Sequence, residues 1–367
     1  IGASYIEDEK TVSINQVNTD IFSNLDFVGA GTLGLIAAGI PPSQAAILAT
    51  DPAYNPLLGL QGIQFLPQFV NYPNVAQDGK SNDDNIDYTF KLSYLLNEST
   101  TIYGGVSTGY KATAWNISRD SLPDAAETSA LAAAGTPVGP NTGLGRRYAD
   151  PEESEVFELG AKILLPSGYL NIAIFDQKIE GFQSNTFVGT GFILANAGSQ
   201  SSDGYEFDLV MSPTESIDLA ISGLFMDPIY DSFPNSAAGD LSGTMPSNIS
   251  EDTISSTITW NWNTSNWDGY FRLSHLYASE AKLLENPAWQ SILESAGNGI
   301  KTQDTLNISA GLEKENLSIM FWGKNINDDK YLISAFPAVA DPTFTTFFGY
   351  PNAYRSYGLT VNYMFWG

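Results

Sequence analysis

The stretch YGLTVNYMFWG, Tyr357 to Gly367, sets Tyr357, Leu359, Val361, Tyr363 and Phe365 on one face of a strand and Gly358, Thr360, Asn362 and Met364 on the other. Successive strand side chains point to opposite faces, so one row is apolar and its partner is mostly small or polar. A strand reads this way when one face meets lipid and the other a wet lumen, as in the bacterial outer membrane. An edge strand of a soluble sandwich shows the same period of two. Recurrence of the pattern, with short and long connections in strict alternation, separates the two readings.

The pattern recurs in about eleven further segments. Lipid-facing rows are Tyr88, Phe90, Leu92, Tyr94 and Leu96; Ile102, Val106 and Tyr110; Phe157, Leu159, Ala161 and Ile163; and Leu170, Ile172 and Ile174. They continue through Tyr205, Phe207, Leu209 and Met211; Ile217, Leu219 and Ile221; and Ile254, Ile258, Trp260 and Trp262. Phe271, Leu273 and Tyr277, then Leu306, Ile308, Ala310 and Leu312, then Leu317, Ile319 and Phe321 complete the series. The alternate positions, among them Thr89, Lys91, Ser93, Glu158, Lys162, Glu206, Asp208, Asn307 and Lys324, belong in the lumen. The first strand falls within Ile1 to Gln16, where the parity is less clear.

The connections sort by parity. Asn97 to Thr100, Pro166 to Gly168, Pro213 to Glu215, Thr264 to Asn266 and Lys314 to Asn316 carry tight-turn chemistry. Between them lie long segments: Val17 to Asn82, Thr113 to Asp150, and shorter ones near 183–199, 230–250, 283–301 and 328–354. Outer-membrane barrels keep short turns in the periplasm and long loops outside, which makes the last strand run inward and the C-terminus periplasmic.

Composition agrees. No apolar run is long enough for a membrane helix, which needs about 20 residues. Trp260, Trp262, Trp267 and Tyr270 flank one short turn, where a periplasmic aromatic belt or ordinary cross-strand pairing would place them. A net charge of -25 repels phosphate and argues against nucleic acid. There are no cysteines and only one histidine, His275, so thiolate chemistry and multi-histidine metal sites are excluded and no cofactor is expected. A Ser–His–acid hydrolase facing the lipid would have to use His275 with the outward Ser256, but an interfacial histidine is the simpler reading, and the chain is read as no enzyme. The chain has neither an initiating Met nor a signal peptide, as a processed chain or a piece of a longer one would.

VFELGAKILLPSGYLNIAIFDQKIEGFQ (Val156 to Gln183), ILANAGSQSSDGYEFDL (Ile193 to Leu209), LSIMFWGKNINDDKY (Leu317 to Tyr331), the terminal YGLTVNYMF and TTIYGGVSTGYKATAWNISRDS (Thr100 to Ser121) together resemble the C-terminal half of a TonB-dependent receptor barrel. The resemblance implies an all-β, transmembrane antiparallel barrel of about 22 strands around an N-terminal plug. It also implies uptake of a scarce solute (a siderophore, cobalamin, an oligosaccharide or similar) across the outer membrane of a Gram-negative bacterium, energised by TonB, ExbB and ExbD. The barrel assembly machinery, outer-membrane lipid and lipopolysaccharide are its further expected partners. This sequence departs from the family in holding only about 12 strands, with no plug or TonB box before the first. Residues 1–367 are therefore expected to be the C-terminal part of the barrel, with the plug and the N-terminal strands absent. Phe365 matches the family's terminal aromatic, but Trp366 and Gly367 follow it.

Ligand contacts are expected at the loop end of the wall: Lys111, Trp115, Asn116 and Arg119 where the third strand enters its loop, and Arg146, Arg147 and Tyr148 before the next strand. Cations and aromatics there suit an anionic or sugar-like solute; pairing with the acidic loops explains the same cations equally well. LIAAGIPPSQAAILATDP, PDAAETSALAAAG and ENPAWQSILESAG each read as a short helix in a long loop, either a lid or a shield for the rim. Two other readings stay open: a passive channel formed by a complete barrel of about 12 strands, and a split or truncated receptor serving as a surface protein.

Overall fold

A computed structural model of the chain describes residues 1–13, 21–22, 24–65, 79–116, 129, 148–187, 192–234, 236, 238–338, 341 and 345–365. In chain order the strands are β1 (Gly2–Thr11), β2 (Lys80–Asn97), β3 (Thr100–Lys111), β4 (Ala114–Trp115), β5 (Tyr148–Ala149), β6 (Glu152–Leu165), β7 (Gly168–Glu180), β8 (Gln183–Phe187) and β9 (Phe192–Asn196). They continue as β10 (Ser199–Thr214), β11 (Ile217–Ser232), β12 (Asp252–Asn263), β13 (Asp268–Lys282), β14 (Ile300–Lys314), β15 (Leu317–Lys324), β16 (Leu332–Pro337), β17 (Phe347–Pro351) and β18 (Ser356–Tyr363). Helices α1 (Phe27–Ala37) and α2 (Pro42–Leu48) follow β1, and α3 (Pro287–Ser295) lies between β13 and β14.

Twelve strands form one antiparallel sheet in the order β1-β2-β3-β6-β7-β10-β11-β12-β13-β14-β15-β18, and three small hairpins, β4-β5, β8-β9 and β16-β17, stand on its connections. The five turns expected to be tight are the junctions between successive wall strands. Asn97 closes the first, its side-chain oxygen accepting hydrogen bonds from the Ser99 amide at 3.0 Å and the Ser99 hydroxyl at 2.9 Å. Every long connection leaves from the opposite end. No helix among the described residues is long and apolar enough to cross a membrane.

The registers join the apolar rows into one belt. Tyr94 stands opposite Ile102, Ile102 opposite Ala161, Ala161 opposite Ile172 and Ile172 opposite Phe207. A neighbouring row runs from Trp260 through Phe271, Ala310 and Phe321 to Leu359. The belt stays exposed, with Leu92 at 67% and Leu359 at 66%, because no protein layer covers it. Large exposed apolar surface of this kind belongs against hydrocarbon. The opposite face carries Lys91 and Glu158, 3.8 Å apart, and a hydroxyl pair in which Thr257 donates to Ser274 at 3.1 Å. Parity in the first strand is settled by Tyr5 standing opposite Ile86, which puts Tyr5 on the belt side.

Two devices hold the wall together where the ladder is weak. Aromatic rings lie over glycines directly across the strand: Trp262 over Gly269, Tyr270 over Gly311 and Trp322 over Gly358. A Cβ on Gly358 would come within 2.1 Å of the Trp322 ring, so the glycine makes the ring's place. One expectation is corrected here. Trp260 and Trp262 are on the belt, with ring centroids 5.0 Å apart, but Tyr270 stands opposite Asn261 and so faces the lumen, under Arg272.

The second device replaces strand by side chain. β15 stops at Lys324 while β14 continues beyond it, and Asn325 and Asp328 take φ of 49° and 59° to turn the chain away. The free edge of β14 is met by side chains instead: the Leu306 amide donates to Asn327 at 3.0 Å and the Asp304 amide to Asp329 at 2.8 Å. Backbone groups of the wall thus keep partners past the end of the paired strand.

The belt predicts an asymmetry between neighbouring residues of β7. Ile172→Arg should destabilise the folded wall by roughly 2–4 kcal/mol, the cost of a cation on the lipid face near mid-membrane, whereas Asn171→Arg on the lumen face should cost about 1 kcal/mol or less. Denaturant unfolding in lipid vesicles, followed by tryptophan fluorescence, measures both.

Candidate functional site

The long connections meet at one end of the wall and are tied to each other there. At the base of the largest loop pair, the Thr113 amide and hydroxyl both donate to the Asp83 carboxylate, at 3.1 and 3.0 Å, and the Lys10 ammonium donates to the Thr113 carbonyl at 2.9 Å. Gln183 is buried and donates to the carbonyls of Ala112 and Asp150, at 3.1 and 2.9 Å. Asn196 pairs with Asp150 through both ends of its amide, and also donates to the carbonyl of Gly181. Gly181, at φ +67°, turns β7 into β8; a Cβ there would lie 2.8 Å from the Pro151 carbonyl oxygen. These bonds tie β1, β2, β8 and β9 to the segments that follow β3 and β7 and precede β6, forming a collar from which the loops rise.

The expected ligand-contact residues fall on this collar. Lys111 ends β3, with its ammonium 3.5 Å from Glu152, whose carboxylate also accepts the Gln183 amide at 2.8 Å. Trp115 of β4 stands opposite Tyr148 of β5, ring centroids 5.1 Å apart and inclined at 47°, and its indole N–H donates to Ser81 at 3.1 Å. Asn116 follows β4, half-buried. Arg119, Arg146 and Arg147 lie outside the described residues. The structure thus pairs Trp115 with Tyr148, while Lys111, four residues before Trp115, is already engaged by a carboxylate. Chemically this is a stacking face with an adjacent charge pair. Asp83, Thr113, Gln183 and Asn196, which build its support, carried no sequence signal beyond being polar, since their partners are between 15 and 103 positions away.

The helices expected in the first and last of the three loop motifs are present. The Asp26 side chain accepts the Gly29 amide at 2.8 Å and starts α1; Asn286 accepts the Ala288 and Trp289 amides at 3.0 and 3.2 Å and starts α3. Buried Asn55 donates to the carbonyls of Phe27 and Ala49, joining the ends of α1 and α2. The middle motif, apart from Ser129, lies outside the described residues.

Two small apolar clusters pack the other loops. Ala197, Tyr230, Phe233 and Leu241 form one; Leu283, Leu293 and Ala335 form the other, across the β13-β14 and β15-β18 connections. Tyr230 links the clusters by donating to Glu285 at 2.5 Å, beyond the end of the belt. Burial pushes the Tyr230 hydroxyl well above its ordinary value, with the Glu285 charge adding to it. Burial also raises the Glu285 carboxyl, against the opposing effect of the Tyr230 hydrogen bond.

On the belt side, His275 stands opposite Ser256, and its Nε2 lies 2.6 Å from Asp304. Three residues of catalytic type therefore share one region, but among the described residues no hydrogen bond joins Ser256 to His275.

A sequence profile described as "TonB dependent receptor-like, beta-barrel" matches residues 53–326. The chain belongs to this family. It is accordingly part of an outer-membrane receptor β-barrel and not an enzyme. No curated protein matches the sequence. Among solved structures, the wall is similar to the ferric yersiniabactin uptake receptor FyuA from Yersinia pestis, with 18% identity, a TM-score of 0.59, and coverage of 78% of this chain and 38% of that one. It is also similar to the ferric-catecholate import receptor Fiu from E. coli K12 (15% identity, TM-score 0.54, 80% of this chain and 38% of that one). The siderophore receptor PiuA from Acinetobacter baumannii gives 17% identity and a TM-score of 0.53, over 77% of this chain and 36% of that one. At these identities the likeness is one of fold, and the chain spans less than two fifths of the length of these receptors.

The Tyr230–Glu285 link predicts a pH response. A carboxyl that holds its proton more tightly folded than unfolded contributes fully below its ordinary pKa, and that contribution is lost as pH rises through the raised value. The melting temperature of the native protein should therefore fall relative to Glu285→Gln as pH rises above the ordinary carboxyl range. Tyr230→Phe, which leaves Glu285 buried without its donor, should cost about 1.5–3 kcal/mol at neutral pH.

Proposed function

We propose that this chain is the C-terminal portion of the barrel wall of a TonB-energised importer, and that the remaining wall strands and a plug domain complete it. The observation that carries this reading is the family match over residues 53–326 on an antiparallel wall whose long connections all rise from one end. β1 and β18 are at opposite ends of the sheet order and are not paired with each other among the described residues, which favours a share of a larger barrel over a passive channel of these strands alone.

In this reading the loop end is extracellular and the turns and C-terminus are periplasmic. A scarce solute is captured over the collar, where Trp115 and Tyr148 stack against it and Lys111, Asn116, Arg119, Arg146 and Arg147 supply donors. Release inward follows a change of plug state driven through TonB, ExbB and ExbD, so the work is differential binding between two states rather than bond chemistry. By title the three named neighbours are a ferric yersiniabactin uptake receptor, a ferric-catecholate import receptor and a siderophore receptor, so a siderophore is the first solute class to test, with cobalamin and oligosaccharides next. Barrel assembly machinery and outer-membrane lipid are the other partners of this reading.

Growth on the limiting solute should require both this gene and TonB. Uptake that persists without TonB, or steady ohmic conductance from the purified protein in a planar bilayer, overturns the importer reading in favour of the channel. Orientation has its own test, made clean by the absence of native cysteines. Ser291→Cys, exposed on α3, should react with a membrane-impermeant maleimide in intact cells, whereas Ser99→Cys, exposed in the β2-β3 turn, should react only after the outer membrane is permeabilised.

A further inference from the structure

The belt is not uniform. Between the aromatic ridge of β2 and the side chains of β6, β7 and β10 it sinks into a groove of about 950 Å³, lined by Phe90, Leu92, Ile102, Phe157, Leu159 and Tyr205. Gly104 forms part of its floor, where a Cβ would sit 3.3 Å from Leu159. At its loop end the groove is closed by two carboxylates, Asp176 and Asp203, which stand directly opposite each other on adjacent strands. Asp227 stands opposite Asp203 on the next strand, extending the row to three.

On the belt side this row follows Ile174 on β7, Tyr205 on β10 and Phe225 on β11, with Ile229 of β11 beyond it. It sits where hydrocarbon gives way to headgroups in the leaflet at the loop end. Among the described residues no cation pairs with it. The nearest basic residue along β7, Lys178, is 2.6 Å from Glu180. Nor do three carboxylates converge anywhere among the described residues closely enough to hold a metal ion. Carboxylates spread in a row above an apolar slot match a diffuse positive charge carried on a tail, and they repel a phosphate at the same depth.

We propose that this groove seats an amphiphile of the leaflet at the loop end whose headgroup is a cationic amine, the tail lying along Gly104 and the amine against Asp176 and Asp203. It rests on the reading of the belt as lipid-facing and is independent of which solute is transported. The contact is one of charge and shape, with no bond made or broken.

The test uses the native protein in a neutral detergent and three probes with one tail and different heads: oleylamine, oleyl alcohol and oleate, with binding counted by native mass spectrometry. Oleylamine should bind at least about tenfold more tightly than oleyl alcohol, and oleate most weakly, as expected for a charge beside two carboxylates at the edge of water. Asp176→Asn with Asp203→Asn should bring the amine and the alcohol to within about twofold of each other, removing the charge contribution alone. Gly104→Leu should weaken all three probes alike by filling the floor. Equal affinity for the three heads in the native protein overturns the proposal. So does tighter binding of phosphatidylglycerol with Mg²⁺ than of oleylamine, which would make the row a bridge for anionic lipid. Retention of heat-modifiable migration on gels shows that each variant is folded; if the double variant is not, raising salt on the native protein must reduce the amine preference selectively, and failure to do so overturns the proposal equally. A protein that stays monodisperse without detergent would instead sink the membrane reading itself.

Discussion

Inside hydrocarbon a backbone N–H or C=O has no water to turn to, and each one left unmet costs several kcal/mol. The sheet from β1 to β18 answers this by pairing every inner strand on both sides. Register then does the rest. A slip of one residue would turn Ile172 and Phe207 into the lumen and Asn171 and Asp208 into lipid, so the belt fixes the pairing as firmly as the pairing forms the belt. The side chains of Asn327 and Asp329 extend the same logic to the loop end, where β14 outruns its partner and would otherwise present bare amides at Asp304 and Leu306.

Because wall strands are joined by minimal turns at one end, all the sequence not needed for crossing accumulates at the other. The loops there are not independent. The collar of Asp83, Thr113, Gln183 and Asn196 spans the first half of the wall, and the Tyr230 and Leu283 clusters span the second. In the proposed importer, a solute meeting the Trp115–Tyr148 pair would meet a surface supported from β1, β2, β8 and β9. Such a mounting keeps an aromatic pair in place at little entropic cost on binding.

What could be read from sequence is what depends on neighbours in sequence. The hairpins were legible because Asn97, Pro166, Pro213 and Thr264 carry turn chemistry within a few residues, and the belt because its period is two. The short helices α2 and α3 were legible for the same reason, from the Pro and Ser that start α2 and the Pro that starts α3, whereas α1 and its Asp26 cap were not read. Tyr270 was misassigned because aromatic content near a turn says nothing of parity; its position opposite Asn261, two residues after the turn, decides its face. The ties made by Gln183 to Ala112 and by Asn248 to Leu283 cross 71 and 35 positions, so no local pattern announces them. The pairing of Lys111 with Glu152 is of the same kind, although the excess of acid made some such partner expected.

The net charge of -25 is distributed by depth, and this bears on how selectivity is built. Cations on the lumen face are each held close: Lys91 by Glu158, Lys162 over Tyr103, Arg272 over Tyr270 with its Nε–H on Thr259, and Lys324 over Trp322. Around them the β12 to β18 wall is hydroxyl and amide. Glu206 and Asp208 of β10 stand on the same face with no cation paired to them among the described residues, so charge is not balanced evenly along it. In the proposed importer, discrimination would fall to the loop end, where the half-buried Trp115–Tyr148 pair stands, and to what occupies the lumen beside this wall.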